Sequence, residues 1–189
     1  MPSSASDVID EVFELLQRSG GEEYFGEPVT KLQHSEQCAS HARNAGADEE
    51  LILASLLHDI GHLLEVEGAL RDERVGVINH DEIGQNWLLE RGFSKRLAAL
   101  VGGHVDAKRY LTAVNPGYLA RLSPASVETL RLQGGPMNES SAAEFAVVPE
   151  LRDILRLRSW DEMAKDPKWE GPRLESYREM LARHLRHSG

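Results

Sequence analysis

The stretch that most constrains this chain is Leu51–His62, LILASLLHDIGH. From Leu51 to Leu57 only Ser55 is polar, and a helix that is apolar on every side belongs in a protein interior. This one ends by delivering His58 and Asp59 together, then Ile60, Gly61 and His62. A carboxylate buried beside an imidazole is costly unless it gains hydrogen bonds, a charge partner or a metal ion. Neighbouring residues project in different directions on a helix and do not ordinarily share a ligand. At a helix end, beside an ion, both can turn onto one centre. Gly61 is placed to end the helix there.

A chain of 189 residues is expected to fold as one domain, 1–189, with a full core. Its one cysteine, Cys38, cannot form an internal disulfide and suits a reducing cytoplasm. No apolar run reaches transmembrane length, and Met1–Ser6 carries neither a basic start nor a signal-peptide core, so the expected location is cytoplasmic. The net charge of −10 argues against nucleic-acid and anionic-membrane partners. An anionic substrate then needs a local basic patch.

In chain order, Ser6–Arg18 reads as an amphipathic helix that Gly20-Gly21 stops, and Gly21–Pro28 reads as a loop. Thr30 and Gln33 form a capping box for a helix running to about Ala45, with His34, Cys38 and His41 on one face. Asp48 caps the central helix, and Leu63–Val75 looks irregular. Asn79, supported by Glu82, is expected to cap a helix over His80–Glu90; Ser94 opens another over Lys95–Val101. Gly102-Gly103 interrupts before His104, and the helix resumes to Leu111. Ser123-Pro124 starts a helix ending at Gln133, Met137–Ala143 reads as exposed loop, and Pro149 opens a helix to about Met163. A last amphipathic helix uses Leu174, Tyr177, Met180, Leu181 and Leu185. No repeat or strand stands out. The fold class is all-α, a single-domain helical bundle of about eight helices.

Six of the eight histidines lie between residues 34 and 104. The ordered set is His34, His58-Asp59, His80, His104 and Asp161, each near a helix end or on an inward face. Four imidazoles and two carboxylates suit two first-row transition metals, and a shared Asp59 could bridge ions at the ~3.5–4 Å spacing of two-metal sites. Lys108 lies four residues after His104 and Arg158 three before Asp161, so each cation shares a face with a candidate ligand. An oxyanion substrate beside a metal pair requires such donors. By contrast, His41, His184 and His187 read as surface or cap residues, Cys38 as core filling, and Gly134-Gly135 as a helix terminator.

The pattern H…HD…H…H…D resembles the ligand set of the HD-domain superfamily in its dinuclear form. The segments YFGEPVTKLQHSEQCA, LLHDIGH, GGHVDAKRYL, TLRLQGGPM and LRSWDEM further resemble the mixed-valent diiron HD oxygenases that cleave hydroxyphosphonates. That resemblance implies one iron held by His34, His58, Asp59 and Asp161, and the other by Asp59, His80 and His104. It implies that Tyr24 occupies an iron position until substrate arrives, and that Glu27 contacts the substrate's amino end. His62, Lys108, Ser126, Gln133 and Arg158 match positions lining the phosphonate site. The implied reaction uses Fe(II)/Fe(III) and O2. Hydrogen is taken from C1 of a 1-hydroxy-2-aminoethylphosphonate or its trimethylammonium counterpart, and the C–P bond breaks. The products are phosphate and glycine or glycine betaine.

Two other readings compete. A metal-dependent phosphohydrolase would use the same ion pair to activate water, although no base-stacking block near the ligands favours a nucleotide. A non-catalytic HD scaffold is disfavoured because all six ligand types are present. His62 could also be a helix-end cation or an extra ligand. Spacing leaves the metal's identity, the head group and the oligomeric state open.

Overall fold

A computed structural model describes residues 4–19, 21–73 and 76–188; the expected stop at Gly20 and the strand-free boundary at Val75 lie outside them. Ten α-helices occur among the described residues: α1 (Ala5–Ser19), α2 (Lys31–Asn44), α3 (Glu49–Leu57), α4 (His80–Glu90), α5 (Lys95–Gly102), α6 (His104–Val114), α7 (Pro124–Leu132), α8 (Glu139–Phe145), α9 (Leu151–Met163) and α10 (Arg178–Ser188). The all-α expectation holds. No described helix is long and apolar enough to cross a membrane.

The central helix is where the sequence puts it. Leu51, Leu53, Ala54, Leu56 and Leu57 are fully buried, and α3 is walled by α2, α5, α9 and α10. Asp48 caps it by accepting from the Leu51 amide (3.0 Å). Ser55, the one polar residue inside, returns its hydroxyl to the Leu51 carbonyl (2.8 Å). The helix ends at Leu57, and the chain tightens into a 3-10 turn over Ile60–Leu63. Gly61 does not adopt the left-handed conformation of a helix terminator. Its value is space: the turn lies directly against the first residues of α4.

Several local expectations fail for identifiable reasons. Asn79 does not cap α4. Its backbone is not extended, its side chain makes no capping bond, and its Oδ1 is buried without a partner. Met137–Ala143 is not loop; Asn138 accepts from the Ser141 amide (2.8 Å) and starts α8. A short antiparallel hairpin pairs Arg71–Asp72, inside the stretch expected to be irregular, with Gly76–Val77 just beyond it. α9 begins at Leu151, two residues after Pro149, and α6 runs on to Val114. His184 is buried, not surface, and its Nε2 accepts from the Ser94 amide (3.2 Å).

One arginine ties three helices together. Arg96 of α5 makes a two-pronged contact with Asp48 (both 3.0 Å), and reaches Glu50 (2.8 Å), Asp153 (2.8 Å) and Glu150 (3.3 Å). The four carboxylates sit at the starts of α3 and α9, where helix dipoles favour negative charge. Burial pushes the Asp48 and Glu50 carboxyls up, but the Arg96 guanidinium outweighs it and holds both below the usual range. A depressed folded-state pKa gives stability that is present above the unfolded value and is lost as pH falls through the folded one. Solvent screens the network, since the Asp48 side chain is 56% exposed, so Arg96→Ala should cost about 1 kcal/mol at pH 7. In urea titrations the gap from the parent should narrow steadily below pH 5; a gap independent of pH would contradict the electrostatic account.

Candidate metal centre

Four imidazoles and two carboxylates meet where α2, α4, α6 and α9 converge on the end of α3. His34, His58, His80 and His104 are each no more than 5% exposed, Asp59 is 8% and Asp161 4%. The two oxygens of Asp59 face different corners. Oδ2 lies 3.5 Å from His58 Nε2 and 3.8 Å from His34 Nε2. Oδ1 lies 3.2 Å from His80 Nε2 and 3.6 Å from His104 Nε2. Asp161 Oδ1 closes the first corner, 3.2 Å from His34 Nε2 and 3.8 Å from His58 Nε2.

Each ring is aimed by its other nitrogen. Nδ1 of His34 donates to the Ala164 carbonyl (2.9 Å), that of His58 to Ser55 (2.9 Å), that of His80 to Val77 (3.1 Å) and that of His104 to Val101 (2.6 Å). A carbonyl only accepts, so Nδ1 carries the proton in all four and a neutral ring points its Nε2 lone pair inward. Those lone pairs then face each other in pairs, His34 with His58 at 3.1 Å and His80 with His104 at 3.0 Å. Asp59 Oδ2 is buried with no hydrogen-bond partner. Unpartnered acceptors facing acceptors need a cation between them. Atoms each about 2.1 Å from one ion stand roughly 3–4 Å apart, which is the spacing found. The donor set fits two ions.

The electrostatics ask for the same thing. Burial lowers the His58 pKa, yet the Asp59 charge, together with contacts to Cys38 and Asp161, more than offsets it and drives the ring well up. Burial likewise works against the Asp59 carboxylate, and the surrounding imidazoles hold it well down. A site that recruits protons onto imidazole to balance two carboxylates can exchange that positive charge for metal ions.

A small cavity, about 40 Å³, lies over the two corners. Its lining includes Tyr24, Glu27, His62, Lys108, Ser126, Gln133 and Arg158 along with Asp59, His80, His104 and Asp161. The structure thus gathers every residue singled out by sequence into one neighbourhood, with His34 and His58 beneath it. The Tyr24 ring stacks on His34 at 3.9 Å. It gets there through a tight bend in which Phe25 and Gly26 both take left-handed φ, 45° and 77°, closed by a Glu27 amide to Tyr24 carbonyl bond (2.8 Å). Burial, then the Asp59 and Asp161 charges, push the Tyr24 phenol well up. His62 stacks on His80 at 3.8 Å, and its Nδ1 is buried without a partner. It is close enough to Asp59 and His80 to serve as a further donor. Burial, then the charge on His80, bring it well down, so it is neutral.

The cations are buried too. Lys108 donates to the Thr129 hydroxyl (2.7 Å); burial, with the nearby Arg158 charge, brings its pKa to about 7. Arg158 puts Nη1 on Asp161 Oδ2 (2.5 Å) and Nε on Glu162 (3.0 Å) and the Tyr118 hydroxyl (3.1 Å). Its Nη2 is buried with no partner. Gln133 gives Nε2 to the Ile78 carbonyl (3.2 Å) and leaves Oε1 unpartnered. Ser126 accepts from Ser123 Oγ (3.2 Å).

Four contributors escaped sequence reasoning. Thr129 lies three residues after Ser126 and four before Gln133, a spacing that could have shown it on the same face of α7. Glu162 lies four residues after Arg158 on α9, a spacing that could have paired the two, whereas Tyr118 reaches Arg158 through a long-range contact that spacing does not show. Lys165, beyond the end of α9, enters the cavity from a segment without helical periodicity.

The chain matches the HD domain family model over residues 32–139. It is 39% identical over 184 residues to the (1-hydroxy-2-(trimethylamino)ethyl)phosphonate dioxygenase (glycine-betaine-forming) of Leisingera caerulea, covering 97% of this chain and 93% of that one. It is 37% identical over 196 residues to the hydroxymethylphosphonate dioxygenase of Gimesia maris, covering 100% of this chain and 93% of the relative. The chain belongs to the HD domain family, in the group that contains these two phosphonate dioxygenases.

Proposed function

We propose that this protein is a dioxygenase that uses O2 and an Fe(II)/Fe(III) pair to cleave the C–P bond of a 1-hydroxyphosphonate, releasing phosphate. The substrate is a 1-hydroxy-2-aminoethylphosphonate or its trimethylammonium counterpart, giving glycine or glycine betaine. The observation that carries the reading is the pairing of two donor corners sharing Asp59 with an overlying cavity that holds buried, under-used cations. Relatives that align over nearly the whole chain and are named as phosphonate dioxygenases support it.

In this reading His34, His58, Asp59 and Asp161 hold one ion, and Asp59, His80 and His104 hold the other. Bound there, the ion pair supplies the redox chemistry with O2. The chain's own residues do the rest. Arg158, fixed on three sides, has its Nη2 amino group left for a phosphonate oxygen. Lys108, whose pKa burial brings to about 7, gains full charge beside a dianion. Ser126, Thr129 and Gln133 line the same wall. Neutral His62 and the Tyr24 ring flank the two corners, and Glu27 faces the head group.

The test is phosphate release from the hydroxyphosphonate by iron-loaded protein with and without O2. Release that depends on O2 supports the oxygenase. Equal release under nitrogen would favour the phosphohydrolase. Lys108→Ala should raise KM about 10–100-fold with a smaller effect on kcat, as expected when a charge-assisted contact to bound substrate is lost. An unchanged KM would remove Lys108 from the substrate site.

A further inference from the structure

One cation in the cavity has no part in the scheme above. Lys165 Nζ lies 2.7 Å from Glu27 Oε1 and 3.0 Å from Ser123 Oγ. Its side chain is 19% exposed and that of Glu27 12%. Its placement is built into the fold. The preceding carbonyl, Ala164, accepts a hydrogen bond from His34 Nδ1 (2.9 Å). The following residue, Asp166, exchanges two hydrogen bonds with the Gln37 amide, 3.0 and 3.1 Å. The segment after α9 is thus clamped to α2 on both sides of Lys165, and the lysine stem has a fixed origin.

In the proposed function Glu27 is the carboxylate that faces the substrate's head group, and in this structure its charge is already answered. Burial raises its carboxyl, but the hydrogen bonds from Lys165 and Ser123 hold it below the usual range. A cationic head group must compete with Lys165 for Glu27, whereas an uncharged or absent head group meets a neutral ion pair. We propose that Lys165 is a specificity-determining residue, setting how strongly the site prefers cationic over uncharged head groups on the phosphonate. This rests on the hydroxyphosphonate reading. It differs from that reading in concerning only the end of the substrate remote from C–P cleavage.

The probes are hydroxymethylphosphonate, which has no head group, and (1-hydroxy-2-(trimethylamino)ethyl)phosphonate, which has a cationic one. Their dissociation constants are measured under nitrogen on iron-loaded protein, then their turnover with O2. Lys165→Met should shift the affinity ratio at least tenfold, about 1.4 kcal/mol, toward the cationic compound. Lys165→Arg, which keeps the charge, should retain the parent ratio, and thermal melts of both variants check folding. A Lys165→Met ratio within twofold of the parent, or an equal loss of both ligands, overturns the proposal while leaving the hydroxyphosphonate reading standing. Parent protein that binds and turns over neither compound takes down both.

Discussion

Asp59→Ala is expected to abolish turnover and to leave the protein unable to hold two ions. Among the described residues the carboxylate is the one group whose oxygens face both donor corners, Oδ2 toward His34 and His58 and Oδ1 toward His80 and His104. Alanine removes the bridge and leaves four inward lone pairs with one carboxylate, Asp161, on one side only. The His80–His104 corner then has two imidazoles and no anion from the original set, too few for a lasting site at ordinary free-metal concentrations. On the proposed two-iron reading, iron content should fall from about two per chain to one or fewer. Loss of charge stabilisation worth several kcal/mol corresponds to a drop in kcat of ~10³-fold or more. The stabilisation that metal gives the parent in thermal melts should shrink as well, since that gain follows from binding to the folded state alone. An Asp59→Ala protein that retains two irons and a shared spin-coupled signal by electron paramagnetic resonance would refute the bridging geometry.

How much of this was legible in the sequence depends on the range of the interaction concerned. The Leu51–Leu57 helix announced itself because being apolar on all sides is a local property, and its Asp48 cap sits at a fixed offset. The six candidate ligands were visible because each lies at a helix start, a helix end or an inward face, positions that periodicity reveals. Asn79 failed for the opposite reason. Its identity suits a cap, but the hairpin just before it turns the backbone away from the extended conformation that capping needs. α8 was missed because ESSAAEF has too few apolar residues to show a stripe. Only Asn138, a cap with no periodic helix after it, could have hinted at it. The buried end of His184 depends on a contact ninety residues distant, with Ser94. Lys165 is the instructive case. Nothing in LRSWDEMAK separates this lysine from solvated ones, and only its clamp to His34 and Gln37 of α2 turns it into the cavity.

Gly61→Ala should be among the most damaging single changes in the chain outside the ligands themselves. A Cβ built on Gly61 falls 1.9 Å from the His80 carbonyl oxygen, 2.7 Å from its carbon and 3.0 Å from the Gly84 amide nitrogen. All three atoms are backbone, so no side chain can swing aside. Either the 3-10 turn or the first turn of α4 must retreat by about 1 Å for the contact to become tolerable. The turn begins just after Asp59 and carries His62; α4 begins with His80. The clash therefore acts on the core and the donor set together. Overpacking of this kind costs about 3 kcal/mol or more, a fall in Tm of roughly 6–12 °C for a chain of this size. Because His80 moves and His34 does not, the His80–His104 corner should lose its ion first. Gly84→Ala gives the contrast: its nearest contacts are at 3.3–3.4 Å, so a displacement of a few tenths of an ångström suffices and the loss should be much smaller. If calorimetry finds the Gly61→Ala protein as stable as the parent and metal analysis finds two ions in it, the turn does not lie against α4 as described. The alignment of Asp59 with His80 would then need another cause.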